Sequence, residues 1–168
     1  VTDMVKQIKP DVTRTFIKNV SFARVYGASK KKIAMMLELP IEESNRFVEA
    51  YDRMFPEVQQ LLQQASRLAE MRGYVKTIFG RRARFYGKTM LHSAFNRVDQ
   101  GSAADYGKRV MVEVHRNRKF LEVVPRFPVH DSLVGDLLNP DKRAALQELL
   151  DTQYMPGLKV PITWSLGV

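Results

Sequence analysis

Glycine and proline divide much of the chain into segments in which apolar and polar residues mix as they do in helices. The first predicted helix covers residues 12–26, with Asp11 as its N-cap and Gly27 as its stop. The next begins after a capping Ser29 and is ended by Pro40. Further helices are predicted over residues 41–54, 57–72, 91–118 and 141–154.

Shorter runs rich in β-branched and aromatic residues predict a few strands. These strands span residues 74–79, 84–86, 126–130, 133–138 and 159–166. Gly80-Arg81-Arg82 is the predicted turn of a first hairpin, and Asp131-Ser132 is that of a second. Pro128 cannot donate a ladder hydrogen bond, so its strand is predicted to be an edge or bulged strand. The predicted fold class is α+β, mostly α.

The composition predicts a folded protein with a polyanionic partner. Hydrophobic residues make up 45% of the 168 residues, and 27 Lys and Arg against 18 Asp and Glu give a net charge of +9. No apolar run is long enough to cross a bilayer. The absence of Cys excludes disulfides, and three scattered His residues make a structural zinc site improbable.

The positive charge is concentrated in two stretches that contain no acid. The first lies between Asp11 and Glu38 and the second between Glu70 and Asp99. Their bases are Arg14, Lys18, Arg24, Lys30, Lys31 and Lys32, and then Arg72, Lys76, Arg81, Arg82, Arg84, Lys88 and Arg97. Such stretches suit phosphate binding, although a solvated face with an uneven count is the alternative.

The first predicted helix carries a stripe of four residues spaced four apart, Arg14, Lys18, Phe22 and Tyr26. On an α-helix they share one face, about 6 Å apart per step. The two cations could clamp a polyphosphate, and the two rings offer a platform for a sugar and a base. The alternative is an amphipathic helix that buries its rings and leaves its cations in water.

Four motifs in series resemble family A DNA polymerases, the relatives of DNA polymerase I. Residues 14–27, RTFIKNVSFARVYG, resemble the fingers signature R-x-x-x-K-x-x-x-[FY]-x-x-x-Y-G. The segments around Tyr74–Arg82, Asn96–Asp105 and Val129–Asp131 resemble the later motifs G-Y-V-x-T-x-x-G-R-R, N-x-x-x-Q-G-[ST]-A-A-D and V-H-D-E. His92 stands four residues before Asn96, which is more similar to phage replicative polymerases than to bacterial ones.

The resemblance implies fingers helices over residues 1–88 and the C-terminal part of the palm over residues 89–168. It implies template-directed transfer of deoxynucleotides to a primer end with two Mg²⁺ ions. Arg14 and Lys18 would hold the triphosphate, with Lys18 also serving the pyrophosphate leaving group. Phe22 would pack near the sugar, and Tyr26 would stack at the templating position. Asp131 would be both catalytic and a metal ligand.

Further residues are implied to contact primer-template DNA. Asn96 and Gln100 would read the minor groove of new pairs, and Gly101 would let the duplex backbone pass close by. Three more positions complete the implied DNA-binding set: Gly27, Arg81 and His130.

Two departures from the family pattern limit what the chain could do alone. Ser132 stands where the V-H-D-E motif has Glu, and no segment matches D-x-S-x-x-E-x-R, the motif that supplies the second metal-binding Asp. The chain is therefore expected to be a part of a larger polymerase, inactive by itself, whose partners include upstream palm, thumb and exonuclease segments. Its expected location is the cytoplasm of a bacterial or phage-infected cell, or an organelle.

Two other functions stay open from the sequence. One is a non-catalytic nucleic-acid-binding module that reuses the fold, with Ser132 as a sign of decay. The other is a basic membrane-surface or scaffold protein, which the spread of the bases over several motifs disfavours.

Overall fold

The computed structural model describes residues 13–87, 90–155 and 157–167, without the side chains of Arg14 and Phe16. The chain divides into two compact units, Val1–Gly101 and Ser102–Val168. Helices predominate in the described residues and the strands form small antiparallel hairpins, which confirms the predicted α+β class.

Four helices begin the first unit, close to their predicted bounds. They are α1 (Arg14–Val25), α2 (Lys30–Leu37), α3 (Ile41–Met54) and α4 (Pro56–Arg72). The predicted caps are confirmed where they lie in the described residues: the Ser29 hydroxyl accepts from the Lys32 amide at 3.2 Å, and Gly73 ends α4 with φ 71°. The N-cap predicted at Asp11 lies outside the described residues.

The helices α1, α2 and α3 share one buried apolar core. Its members are Ile17, Val20, Ile33, Leu37, Phe47, Val48 and Tyr51. Beside this core, Arg24 of α1 donates two hydrogen bonds to the Asp52 carboxylate of α3, at 3.0 and 2.6 Å. Both side chains are largely shielded from water, so this fork-to-fork pair fixes the two helices against each other.

A short hairpin follows α4. Its strands are β1 (Tyr74–Lys76) and β2 (Arg82–Arg84). The first is shorter than the predicted strand over residues 74–79 because the loop begins at Thr77, and the second begins two residues before the predicted 84–86. The Thr77 amide donates to the Arg81 carbonyl at 2.9 Å, and the Arg81 amide donates back to the Thr77 hydroxyl at 3.1 Å. This reciprocal pair closes the loop.

A long helix runs from the first unit into the second. After a 3₁₀ turn at Leu91–Ser93, α5 extends over Ala94–Arg116 and is followed by the short α6 (Arg118–Leu121). The first turn of the predicted helix is therefore 3₁₀, and its last residue belongs to α6.

The second unit is built on a second hairpin and a final helix. The strands β3 (Val123–Val129) and β4 (Ser132–Leu137) pair with a register shift between Pro125 and Phe127, which agrees with the predicted edge or bulged strand, although Pro128 itself pairs with Leu133. The turn falls at His130-Asp131, one residue earlier than predicted, because Ser132 already pairs with Val129. A 3₁₀ turn and α7 (Arg143–Asp151) follow, and their core includes Tyr106, Val110, Val114, Leu121, Val123, Leu146 and Leu150.

The predicted strand over residues 159–166 is wrong: in the described part of this segment no strand forms. Side chains near the end of α7 take the place of a partner strand. Gln153 both donates to the Ile162 carbonyl and accepts from its amide, and Gln147 donates to the Trp164 carbonyl at 2.8 Å. An extended apolar sequence becomes a strand only when another strand supplies its ladder.

The charge excess belongs almost entirely to one unit. Residues 1–101 contain 18 Lys and Arg against 10 Asp and Glu, whereas residues 102–168 contain 9 against 8. Within the described ranges, no helix combines the length and the apolar character that crossing a membrane needs.

Candidate functional site

The stripe predicted on α1 is present on one face of that helix. The Lys18 ammonium lies 5.5 Å from the centroid of the Phe22 ring, and the Phe22 and Tyr26 rings stack 6.2 Å apart with 15° between their planes. Phe22 is 46% exposed, so its ring is not buried in the core. The face presents an exposed cation and an exposed ring, followed by the partly buried ring of Tyr26, and the Arg14 side chain lies outside the described residues.

Tyr26 also contacts an acid, Asp99, which was not among the predicted site residues. Its hydroxyl donates to Asp99 Oδ2 of α5 at 3.2 Å. Burial is the main reason why the pKa of the Tyr26 phenol lies above its ordinary value of 10.0, and the Asp99 charge adds to the rise while a hydrogen bond with Gln100 opposes it. The phenol is therefore protonated at neutral pH and available as a donor.

Gly27 closes α1 against the 3₁₀ turn. Its φ is 83°, and a Cβ at this position would lie 2.8 Å from the His92 carbonyl oxygen. Both facts require glycine there. The structure thus supplies a packing reason for this motif residue, beside the DNA contact that remains a prediction.

Gly101 also has a packing reason, and it differs from the predicted one. A Cβ would lie 2.9 Å from Thr77 Cγ2 and 3.0 Å from Arg81 Nη2, so the loop of the first hairpin occupies the space assigned to duplex DNA. Arg81 Nη2 donates to the Gly101 carbonyl at 3.1 Å. Part of the Arg81 guanidinium is therefore used within the protein, while the side chain as a whole stays exposed.

Asn96 and Gln100 lie one turn apart on α5. Gln100 is exposed, whereas Asn96 Oδ1 is buried and finds no hydrogen-bond partner among the described residues. A buried amide oxygen without a donor costs about 1–3 kcal/mol. The exposed Gln100 amide can reach a ligand directly, whereas the Asn96 oxygen is shielded by the protein in this structure.

Several bases of the two acid-free stretches contact other parts of the protein, so not every base in them is available to phosphate. Arg24 pairs with Asp52, and Lys30 lies 3.5 Å from a Glu49 carboxylate oxygen. Arg97 donates to the Arg84 carbonyl at 2.9 Å and covers the Phe85 ring. Charge counted along the sequence therefore overstates the number of bases available to a ligand.

His130 and Asp131 form the exposed turn between β3 and β4. His130 has φ 53°, a left-handed conformation that few residues other than glycine adopt. The other acid of this hairpin, Asp136, lies away from the turn and is paired with Arg126 at 2.7 Å. Within the described ranges, no three His, Asp or Glu side chains are grouped so that they could hold a metal. Asp131 offers one hard carboxylate ligand, which suits Mg²⁺ but needs further ligands from elsewhere.

Sequence reasoning missed Asp99 and Asp52, the acids that hold Tyr26 and Arg24. Both pairs join residues far apart in the chain, 73 and 28 positions. For Asp99 a signal existed, because it is the acid that ends the second basic stretch.

Comparisons with known proteins agree on one family. The profile described as DNA polymerase family A matches residues 2–168. The chain is 31% identical over 167 residues to a thermostable DNA polymerase I of Thermus aquaticus, covering 92% of this chain and 20% of that protein. It is 34% identical over 177 residues to DNA polymerase DpoZ of Salmonella phage PMBT28, covering 89% of this chain and 28% of that protein.

A solved structure shares the fold. The POL domain of Pol1 from M. smegmatis, solved in complex with DNA primer-template and dNTP, superimposes with a TM-score of 0.75 at 27% identity. The match covers 84% of this chain and 27% of that chain. The chain therefore spans between a fifth and about three tenths of the proteins to which it is compared.

Proposed function

The chain belongs to DNA polymerase family A, and we propose that it forms the nucleotide-binding fingers and the end of the palm of a template-directed DNA polymerase. The observation that carries the proposal is the exposed face of α1, where Lys18, Phe22 and Tyr26 follow one another in the order of a nucleotide's phosphates, sugar and base. In this proposal residues 1–88 are fingers and residues 89–168 belong to the palm.

The nucleotide would lie along α1 with its triphosphate at the N-terminal end. Arg14 and Lys18 bind the phosphates, and Lys18 neutralises the pyrophosphate as it leaves. Phe22, with its exposed ring, packs against the sugar. The Lys18 ammonium already sits over that ring, so the charge and the apolar surface are presented together.

The primer-template would contact α5 and the two hairpin regions. Asn96 and Gln100 donate to the minor-groove acceptors that all correct base pairs share. The exposed Gln100 side chain supports this role, because its amide group can donate to a groove without rearrangement. Arg81, Gly27 and His130 contribute backbone contacts to the template or primer.

Asp131 would hold Mg²⁺ together with a second Asp supplied by another part of the polymerase. When bound, Mg²⁺ neutralises the phosphates and activates the primer hydroxyl. The exposed carboxylate at the β3–β4 turn fits the hard-oxygen preference of the ion. Ser132, which follows it, contributes no carboxylate, so metal binding here relies on Asp131 within this chain.

Primer extension by the complete polymerase that contains this segment tests the proposal. With Mg²⁺ and all four dNTPs, Lys18→Ala and Asp131→Ala should each lower the single-turnover rate by about 10²-fold or more, since each removes charge stabilisation of the reacting phosphates. Lys119→Ala and Asp141→Ala are matched controls on exposed residues outside the site and should extend like wild type.

A different result would favour the alternative function. If the wild type binds duplex DNA in a salt-sensitive manner but extends no primer, the chain is a decayed nucleic-acid-binding module and Ser132 marks the loss. If the wild type extends and Lys18→Ala matches Lys119→Ala, the nucleotide does not use the α1 face.

A further inference from the structure

Asp99 is an exposed acid that follows a basic stretch of the chain. It is the first acid after Glu70, following a run of seven bases, and it directly precedes Gln100, which is proposed to meet DNA. A carboxylate there repels phosphate, so for DNA binding alone a neutral residue would serve better. DNA binding therefore does not explain why this position carries a carboxylate.

The structure shows what the carboxylate contacts. Asp99 Oδ2 accepts the Tyr26 hydroxyl hydrogen bond at 3.2 Å, which joins the end of α1 to α5 inside the first unit. On its other side the Tyr26 ring lies nearly parallel to Phe22. A tyrosine ring free at χ1 would sample several staggered positions, and these two contacts select one of them.

Gly27 strengthens the argument, because the main chain after Tyr26 is fixed as well. Its Cα faces the His92 carbonyl so closely that no Cβ fits. With the backbone seated, the ring is the part of Tyr26 that remains to be oriented. The Asp99 hydrogen bond orients it.

We propose that Asp99 is a positioning residue that holds the Tyr26 ring in the stacked orientation used at the templating position. The proposal rests on the proposed function for what Tyr26 contacts, and it adds a specificity-determining role for a residue at an unspecified position of the third family motif. Asp99 acts through Tyr26 and touches no substrate. A ring held in one orientation discriminates between correct and mismatched pairs more sharply than a ring that rotates.

A set of four variants of the complete polymerase tests the inference. Asp99→Ala and Tyr26→Phe should each reduce discrimination between correct and mismatched dNTPs, measured as a ratio of kcat/KM values, by about three- to tenfold, as expected for loss of one charge-assisted hydrogen bond. The double variant should be no worse than either single variant, because both remove the same bond. Asp99→Asn keeps an acceptor oxygen and should stay within about twofold of wild type.

If Asp99 acted only through its negative charge, the variants would behave differently. In that case Asp99→Asn and Asp99→Ala would change the affinity for primer-template equally and leave discrimination at the wild-type value, which would overturn the inference. Additive losses in the double variant would also overturn it, because the two side chains would then act independently.

A second measurement needs no activity and separates this inference from the proposed function. With 3-fluorotyrosine incorporated, the ¹⁹F resonance assigned to Tyr26 by its loss in Tyr26→Phe should be single and sharp in wild type and Asp99→Asn. It should broaden or split in Asp99→Ala. An unchanged resonance in Asp99→Ala rejects the positioning role, even if primer extension supports the polymerase.

Discussion

At the scale of single residues, the motifs of this chain serve packing as well as chemistry. Gly27 and Gly101 both stand in family motifs, and each faces another part of the protein at a distance that excludes a side chain. His130 occupies a left-handed turn position next to Asp131. A motif residue can therefore be required even where no ligand reaches it.

Gly101 provides a direct test of this point, with Gly107 as a matched control on the same helix. Gly101→Ala gains helix propensity of up to about 1 kcal/mol, yet it forces Thr77 and Arg81 to move, which costs about 1–3 kcal/mol. Gly107→Ala meets no atom within 4 Å and should only gain. Hydrogen exchange followed by mass spectrometry should show faster exchange in the Thr77–Arg81 loop for the first variant and slower exchange in α5 for the second.

Equal protection in both variants would contradict the prediction. It would mean that the loop moves away from Gly101 at no cost in free energy, so the close contact would not affect stability.

At the scale of elements, α1 is held against α3 by an ion pair as well as by the apolar core that the two helices share. The Arg24–Asp52 pair is bidentate, and the side chains are only 15% and 27% exposed, so removing one partner leaves a poorly solvated charge. The proposed nucleotide-binding face lies on the same helix. The helix proposed to bind the nucleotide is thus anchored by a charge on a neighbouring helix.

The anchoring predicts a non-additive set of variants. Arg24→Ala and Asp52→Ala should each lower the free energy of local opening of α1 by about 1–3 kcal/mol, and the double variant should cost about as much as one. Hydrogen exchange of the α1 amides in the complete polymerase measures this opening. Lys30→Ala, which breaks the longer and exposed contact with Glu49, is the control and should change it by less than about 0.5 kcal/mol.

Features that depend on neighbouring residues could be predicted from the sequence, and features that depend on residues far apart in the chain could not. The bounds of α3, the Ser29 cap and the Gly73 stop depend on neighbouring residues, and all three were predicted. The hydrogen bond from Tyr26 to Asp99 and the contact of Gly101 with Thr77 depend on which helices meet, and no periodicity contains that information. The strand predicted over residues 159–166 failed for the same reason, because strands depend on partners.

The candidate site divides in the same way. The order of Lys18, Phe22 and Tyr26 on one face follows from helical spacing and was predictable. The exposure of the Phe22 ring and the buried amide oxygen of Asn96 became visible only in three dimensions.

At the scale of the whole molecule, the two units differ in charge. The first carries a net excess of eight bases and the second of one. Electrostatic attraction of DNA falls off with ionic strength, so this asymmetry should govern the rate of encounter with primer-template.

Paired charge variants test the asymmetry. Lys31→Ala/Lys32→Ala in the first unit should lower the association rate constant for primer-template in the complete polymerase by about two- to fivefold near 50 mM salt, and less near 300 mM. Lys119→Ala/Lys159→Ala removes two exposed charges from the second unit and should have a smaller effect. Stopped-flow fluorescence with labelled DNA gives both rates, and equal effects at every salt concentration would refute the assignment.

The way the last described segment is held changes which substitutions the protein can tolerate. A strand is held by its backbone, so its neighbours can vary in side chain without releasing it. Here side chains supply the hydrogen bonds: Gln147 and Gln153, together with Arg143 and Asp151, and all four resemble ordinary polar surface residues in the sequence. A mutational scan should therefore find the two glutamines less tolerant of Lys or Glu than other polar surface positions, with Gln153 variants loosening Ile162 and Gln147 variants loosening Trp164.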